Sequence, residues 1–128
     1  MLTPLLALIA PFVVWPIELI LPYPYIIEEL AKAILVFALL NLPERLTKIK
    51  LAILIGILFA FSESVLFLFN IQLVGNIQTY FIRLLVTIPL HVVTTLIILL
   101  PALKNKKLII VGVIFASLVH YLFNLYIQ

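Results

Sequence analysis

Long apolar stretches, separated by short polar segments, occupy nearly the whole chain. Five of them approach the roughly 20 apolar residues that a helix needs to cross a membrane. The predicted spans are residues 2–21, 24–42, 51–69, 80–100 and 108–126. This pattern predicts an all-α fold, a polytopic membrane helix bundle with about five transmembrane helices.

Three polar segments separate the later spans and predict the orientation of the bundle. Residues 43–50 and 104–107 form predicted loops rich in Lys and Arg, whereas the predicted loop or surface segment at 70–78 has neither residue. Short basic loops favour the cytoplasm. Because two spans separate the two basic loops, both fall on one side of the membrane. We therefore expect a cytoplasmic N-terminus and a C-terminus on the outside.

The composition fits a membrane protein and excludes several other classes. The 128 residues are 66% hydrophobic and 10% charged, whereas a soluble domain carries about 25% charged residues. We expect residues 1–128 to form a single transmembrane domain of a multi-pass plasma-membrane protein. The absence of Cys excludes disulfides, thiolate metal sites and a cysteine nucleophile. Basic residues cluster in short loops, which indicates membrane orientation rather than nucleic acid binding.

Several ionisable side chains stand inside the apolar spans, where a charge is costly and usually marks a functional site. They are Lys32, Glu63, His91 and His120, with the pair Glu28-Glu29 at the mouth of the second span. Counting from the span ends at about 1.5 Å per residue places all of these residues in the outer half of the membrane. A shared depth on four helices predicts one polar cluster that faces the interior of the bundle.

Spacing and residue type restrict the chemistry of such a cluster. Glu28 and Lys32 are four residues apart and share a helix face, and so do His120 and Asn124. The chain has no Asp, which excludes an aspartyl dyad, and its serines lie outside any Gly-x-Ser-x-Gly motif. Glutamate and histidine acting on water remain as the candidate chemistry.

Four motifs resemble those of PrsW-type intramembrane proteases, whose superfamily includes CAAX prenyl proteases and bacteriocin-processing proteins. They occur in order on four consecutive spans: Glu28-Glu29-Leu30-Ala31-Lys32 matches EExxK, Phe59-Ala60-Phe61-Ser62-Glu63 matches FxxxE, Pro89-Leu90-His91 resembles the third, histidine-bearing motif, and His120-Tyr121-Leu122-Phe123-Asn124 resembles the last. The last motif is HxxxD in PrsW-type proteins and commonly HxxxN in the wider superfamily. The resemblance extends over about residues 25–126.

The resemblance implies a glutamate-dependent intramembrane endopeptidase that hydrolyses peptide bonds of membrane-associated substrates. By analogy with the family, Glu28 would be the general base that activates water. Glu29 and Lys32 would orient that base. Which of Glu28, Glu29 and Glu63 is the base stays open from the sequence.

The resemblance also implies roles for the histidine-bearing spans. His91 would assist water activation, while His120 and Asn124 would stabilise the oxyanion. Glu63 stands where CAAX proteases carry a histidine. We expect neither a cofactor nor a metal. The expected partners are the lipid bilayer, a membrane-embedded or lipidated peptide or protein substrate and, in a homo-oligomer, further copies of the chain, but no nucleic acid.

Three other functions compete with this interpretation. The side chains of Glu28, Glu63, His91 and His120 suit a divalent metal such as Zn²⁺, which would make the protein a membrane metalloprotease, although no HExxH motif is present. Chains of Glu and His also serve as proton relays in ion-translocating proteins. An immunity-type binding protein is the third alternative. Two further charged residues, Glu18 and Arg83, are interpreted as interfacial.

Overall fold

The computed structural model of the chain describes residues 2–74 and 76–127, including all of their side chains except those of 70–74. Its elements are α1 (Leu2–Ile20), α2 (Pro24–Leu39), α3 (Arg45–Val74), α4 (Ile77–Lys104), a short 3₁₀ helix (Lys106–Leu108) and α5 (Ile109–Ile127). The described residues contain no strand. The predicted all-α membrane bundle is therefore confirmed.

Four helical segments are long and apolar enough to cross a membrane. They are Leu2–Ile20, Arg45–Phe69, Ile77–Lys104 and Lys106–Ile127. The remaining helix, α2, has only 16 residues, about 24 Å of helix, and it ends three residues before the predicted span does. It begins after Tyr23, whose left-handed backbone (φ 67°) turns the chain, and Pro24 suits the first helical position.

The predicted loops at 43–50 and 70–78 are wrong over most of their length. Helix α3 starts at Arg45 and continues to Val74, so it extends beyond the predicted span at both ends. Lys and Arg are good helix formers, and their long side chains can reach water from a helix end. Helix α4 already begins at Ile77. Gly75, within the second predicted loop, lies outside the described residues.

The basic segments meet at one end of the bundle. Residue 104, predicted to be in a loop, is the last residue of α4, and the 3₁₀ helix begins two residues later. Lys48 of α3 lines a cavity of about 250 Å³ together with Lys104 and Lys106. The prediction that both basic segments lie on the same side agrees with this arrangement, and the cytoplasmic position of that side stays a prediction.

Helix α2 contacts all four other α-helices, while α3 packs against α1 and α4, and α4 packs against α5. The apolar core includes Leu35, Val36 and Leu39 of α2 together with Ile98 and Leu99 of α4. These residues follow the polar residues of the same helices by one to two turns towards the basic end. Polar cluster and apolar core are therefore stacked along the bundle axis.

Glycines allow α4 to approach both of its neighbours closely. A Cβ atom added to Gly56 of α3 would lie 2.7 Å from the Cα of Val92 and 2.8 Å from the carbonyl oxygen of His91. A Cβ added to Gly112 of α5 would lie 2.8 Å from the Cα of Ile98. Small residues let membrane helices approach until their backbones touch. The contact at Gly56 thereby fixes the height of His91 relative to α3.

Candidate active site

The predicted cluster of ionisable residues converges between four helices. Helix α2 contributes Glu28, Glu29 and Lys32, and the other three helices contribute one residue each, namely Glu63 from α3, His91 from α4 and His120 from α5. All of them are buried except Glu63, which is half-buried. The rings of the two histidines are perpendicular, with centroids 5.3 Å apart. One continuous network of polar contacts connects the four helices.

Lys32 is at the centre of this network and is fully buried. Its Nζ lies 2.8 Å from Glu29 Oε1, 3.1 Å from His91 Nδ1 and 2.5 Å from Thr94 Oγ1. A lysine ammonium has three donors and no acceptor, so these contacts satisfy the whole group. Glu28 and Lys32 were predicted to share a helix face, but the carboxylate that pairs with Lys32 is that of Glu29.

The contacts of His91 determine its tautomer. Because the Lys32 ammonium can only donate, Nδ1 of His91 accepts and Nε2 carries the proton. Nε2 donates this proton to Oε2 of Glu63. The hydroxyl of Thr95 donates to the backbone carbonyl of His91 over 2.6 Å. Both ring nitrogens are thus engaged by protein groups, so His91 acts in this arrangement as a link between Lys32 and Glu63.

Glu29 connects Lys32 to His120. Its Oε1, which accepts from Lys32, also accepts from Nδ1 of His120 over 2.7 Å. In the neutral imidazole the proton on Nδ1 leaves Nε2 with its lone pair. That nitrogen lies 3.4 Å from Oε2 of Glu28. Glu29 is fully buried, and it holds the ring of His120 in place beside Glu28.

Glu28 combines a place beside open space with an oxygen that lacks a hydrogen-bond partner in the described part of the chain. It lines a cavity of about 720 Å³ together with Glu18, Glu63 and Arg83. Its Oε2 has no hydrogen-bond partner among the described residues. This oxygen is buried, so a water molecule drawn in from the cavity would supply the donor that it lacks, with Nε2 of His120 3.4 Å from it as a second acceptor. The arrangement offers a carboxylate base beside a histidine.

Arg83 binds the far side of Glu63. Its Nη2 lies 3.6 Å from Oε1 of Glu63, and its guanidinium stacks over the ring of Phe67 at 4.0 Å from the centroid. With Oε2 bound by His91, both oxygens of Glu63 have cationic or N–H partners. Arg83, expected at the membrane interface, thus forms part of the wall of the cavity, and its depth in the membrane stays a prediction.

Two other residues of the motifs are Phe59 and Asn124. Phe59 is fully buried, with Nζ of Lys32 5.4 Å from its ring centroid and the His91 ring 5.2 Å away. Asn124, the predicted oxyanion donor, lies one turn beyond His120 on α5 and is half-buried. Its amide forms no hydrogen bond with the described residues, so its N–H donors remain available.

Two further residues contribute to the site, and their signals in the sequence are weak. Glu18 of α1, interpreted as interfacial, lines the same cavity as Glu28, and its Oε1 is buried without a partner among the described residues. Thr94 supplies one of the three acceptors of Lys32. The signal for Thr94 was its spacing of three residues from His91. For Glu18, the only signal in the sequence was its depth in the outer part of the first span.

The geometry also tests whether the site suits a metal ion. Glu28, His91 and His120 offer one potential ligand atom each, and the three atoms lie within 4.8 Å of one another. His120 suits a metal, because its protonated Nδ1 faces a carboxylate and its Nε2 keeps a lone pair.

His91 does not suit a metal, because Lys32 donates to Nδ1 and the proton is on Nε2. The observed hydrogen bonds therefore leave Glu28 and His120 as ligands, whereas a catalytic zinc site uses three protein ligands. The residues as arranged do not fit a catalytic metal site.

Comparison with known proteins identifies the family of the chain. The family described as PrsW family intramembrane metalloprotease matches residues 19–128. This match includes all four motifs and every predicted site residue, while Glu18 lies one position before it. Comparisons with curated proteins and with solved structures gave no match. The family match and the four helices long enough to span a membrane agree, and the chain belongs to the PrsW family of multi-pass intramembrane proteases.

Proposed function

We propose that this intramembrane protease is of the glutamate type and that Glu28 is its general base. The observation that carries the proposal is the different occupancy of the three candidate carboxylates. Oε1 of Glu29 is bound by Lys32 and His120, and Glu63 is bound by His91 and Arg83. Glu29 also has an oxygen without a partner among the described residues, Oε2, but it does not line the cavity; of the three carboxylates, Glu28 alone combines such an oxygen with a place in the cavity wall.

The network supports a hydrolysis in which Glu28 handles the proton. Glu28 accepts a proton from water, and the resulting hydroxide oxygen bonds to the carbon of the scissile peptide. Glu28 then returns the proton to the leaving nitrogen as the C–N bond breaks, so the carboxylate is regenerated. Glu29 and Lys32 hold His120 and His91 in place, and the amide of Asn124 is our candidate donor to the oxyanion.

The description of the family names a metal, whereas we propose a metal-free site for this chain. The proton on Nε2 of His91 and the ammonium at Nδ1 support a metal-free site. Under this proposal cleavage persists after chelation and after removal of bound metal from the purified protein. Loss of cleavage on chelation, restored by Zn²⁺, would instead show that the hydrogen bonds of His91 rearrange around an ion.

The substrate we propose is a membrane-embedded or lipidated peptide that enters the cavity from within the bilayer. If the basic end of the bundle lies in the cytoplasm, as the positive-inside rule predicts, the site lies in the outer leaflet. The cut would then fall near the external face of the membrane.

The decisive experiment replaces Glu28 by Gln in the full chain. The amide keeps the shape of the side chain but cannot accept the proton from water, so cleavage should fall about 10²- to 10⁴-fold. Glu44→Gln makes the same chemical change at an exposed residue outside the site and should leave cleavage unchanged. Both variants should keep the unfolding temperature of the parent protein. Undiminished cleavage by Glu28→Gln would refute the assignment of the base.

A further inference from the structure

A second cavity lies next to the one that contains Glu28. Its volume is about 510 Å³, within the 300–1,000 Å³ range of pockets that bind small ligands. It lies between α3, α4 and α5, and Phe67, Ile82, Arg83, Val86, Thr87 and Phe123 are among its lining residues. The motifs that define the catalytic cluster do not account for this cavity.

Phe67 and Arg83 line both cavities. The guanidinium of Arg83 covers the Phe67 ring at 4.0 Å, and its Nη2 lies 3.6 Å from Glu63 Oε1. These two stacked side chains form the shared wall. If the scissile bond of a bound peptide lies at Glu28, a neighbouring side chain of that peptide can therefore reach the second cavity.

The lining of the second cavity is apolar except for a few groups. Val86 and Phe123 present hydrocarbon, and Thr87 is buried with a hydroxyl that has no partner among the described residues. A buried polar group without a partner favours a ligand that can hydrogen-bond to it. A peptide offers both components, because a side chain fills the apolar space and its backbone amide can donate to Thr87.

We infer that this second cavity binds one large apolar side chain of the substrate, at a position beside the scissile bond. The inference rests on the proposed function and specifies the substrate as a peptide with Leu or Phe at that position. A lipid acyl chain is the competing occupant. It offers no hydrogen-bonding group to Thr87, and its binding would not explain why this cavity adjoins the cavity of Glu28.

The test reduces the volume of the cavity and measures the size preference. Val86→Phe adds a ring to the wall, and Val93→Phe makes the same change on α4 at an exposed position. The probes are single-span model peptides in vesicles, with Ala, Leu or Phe placed in turn at each position beside the scissile bond. One position should show a preference for Leu and Phe over Ala of at least about tenfold in the parent protein.

In Val86→Phe, kcat/KM for the peptides with Leu or Phe at that position should fall about tenfold relative to kcat/KM for the Ala peptide. Val93→Phe should behave like the parent protein. An equal change for all three peptides, or no change at all, would overturn the inference and leave the proposed chemistry intact, because cleavage itself would still depend on Glu28.

A binding measurement separates the cavity from the chemistry. In Glu28→Gln, a single-span peptide carrying a photoreactive phenylalanine beside the scissile position should cross-link to α4 and α5 around Val86 and Phe123. Val86→Phe should reduce this product. If no peptide is cleaved by the parent protein but the cross-link forms, the proposed function fails and the binding site stands. If only a photoreactive lipid labels these residues, the occupant is lipid and the inference is wrong.

Discussion

Lys32 shows at the scale of a single residue how the network tolerates a charge in the middle of the bundle. Its ammonium contacts three acceptors on two helices and no water can reach it, because the residue is fully buried. Removing one partner of a buried ion pair typically costs about 3–5 kcal/mol, because the other charge stays buried and unpaired.

We therefore predict that Lys32→Met lowers the free energy of unfolding by about 3–5 kcal/mol and abolishes cleavage. The comparison is Lys50→Met, at an exposed position near the start of α3, which should change stability by less than about 0.5 kcal/mol. Chemical unfolding in detergent measures both variants. A Lys32→Met protein as stable as Lys50→Met would show that the ammonium contacts do not hold the helices together.

The partner of Lys32 also shows where prediction from sequence stops. The depths of Glu63, His91 and His120 follow from a constant helical rise, so their common layer was predictable, whereas the rise does not determine that their faces converge. The choice of Glu29 over Glu28 was not, because residues three and four positions away are both within reach on a helix. Packing against α5 decides it, since His120 binds the same oxygen of Glu29 as Lys32.

At the scale of elements, the contact between α3 and α4 positions His91. Ala52, Gly56 and Ala60 recur every four residues along α3 and are buried. This spacing of small residues is visible in the sequence, but the helix that it faces is not. The carbonyl oxygen of His91 is one of the atoms that a side chain at Gly56 would meet.

We predict that Gly56→Ala displaces α4 and separates His91 from Lys32. Overpacking of this kind typically lowers the free energy of unfolding by about 1–3 kcal/mol. We expect kcat/KM to fall by more than this loss of stability alone would cause, because the hydrogen bonds of the network depend on sub-ångström placement. Ile57→Ala, at the next position and exposed, should affect both quantities less. The measurement is unfolding together with kcat/KM. Full activity in Gly56→Ala would mean that the two helices can separate without disturbing the site.

The helix ends were the elements least well predicted. The segments 45–50 and 70–74 contain polar residues of the kind common in loops, yet both segments belong to α3. Polarity indicates exposure to water, and a helix that projects from the membrane is exposed as well. Apolar length therefore predicts the membrane-embedded part of a helix, whereas the start and end of the helix depend on capping and propensity.

At the scale of the whole molecule, the polar cluster occupies one end of the bundle and the apolar core the other. In the described part of the chain, the buried core residues of α2 and α4 beyond the cluster are Leu, Ile, Val and Ala. A protein that conducts protons is expected to carry polar residues through both halves of the membrane. This separation favours hydrolysis at one membrane face over translocation.

The short helix α2 has a consequence for the surrounding lipid. Its outward residues, including Leu30, Ile34 and Phe37, are exposed and face the acyl chains in a membrane. Its length of about 24 Å is about 6 Å less than the hydrocarbon thickness of a typical bilayer. A helix of this length that spans a bilayer thins it locally, at a cost of fractions of a kcal/mol per Å of mismatch.

Thinning would bring the headgroup region, and with it water, towards Glu28 in the second turn of this helix. We predict that cleavage is several-fold faster in vesicles of short-chain lipids than in vesicles of long-chain lipids. Measurements should use equal headgroups and equal amounts of folded protein. A rate independent of acyl length would mean that water reaches Glu28 by another route. If the rate does depend on acyl length, bilayer thickness regulates this protease although no ligand binds to it.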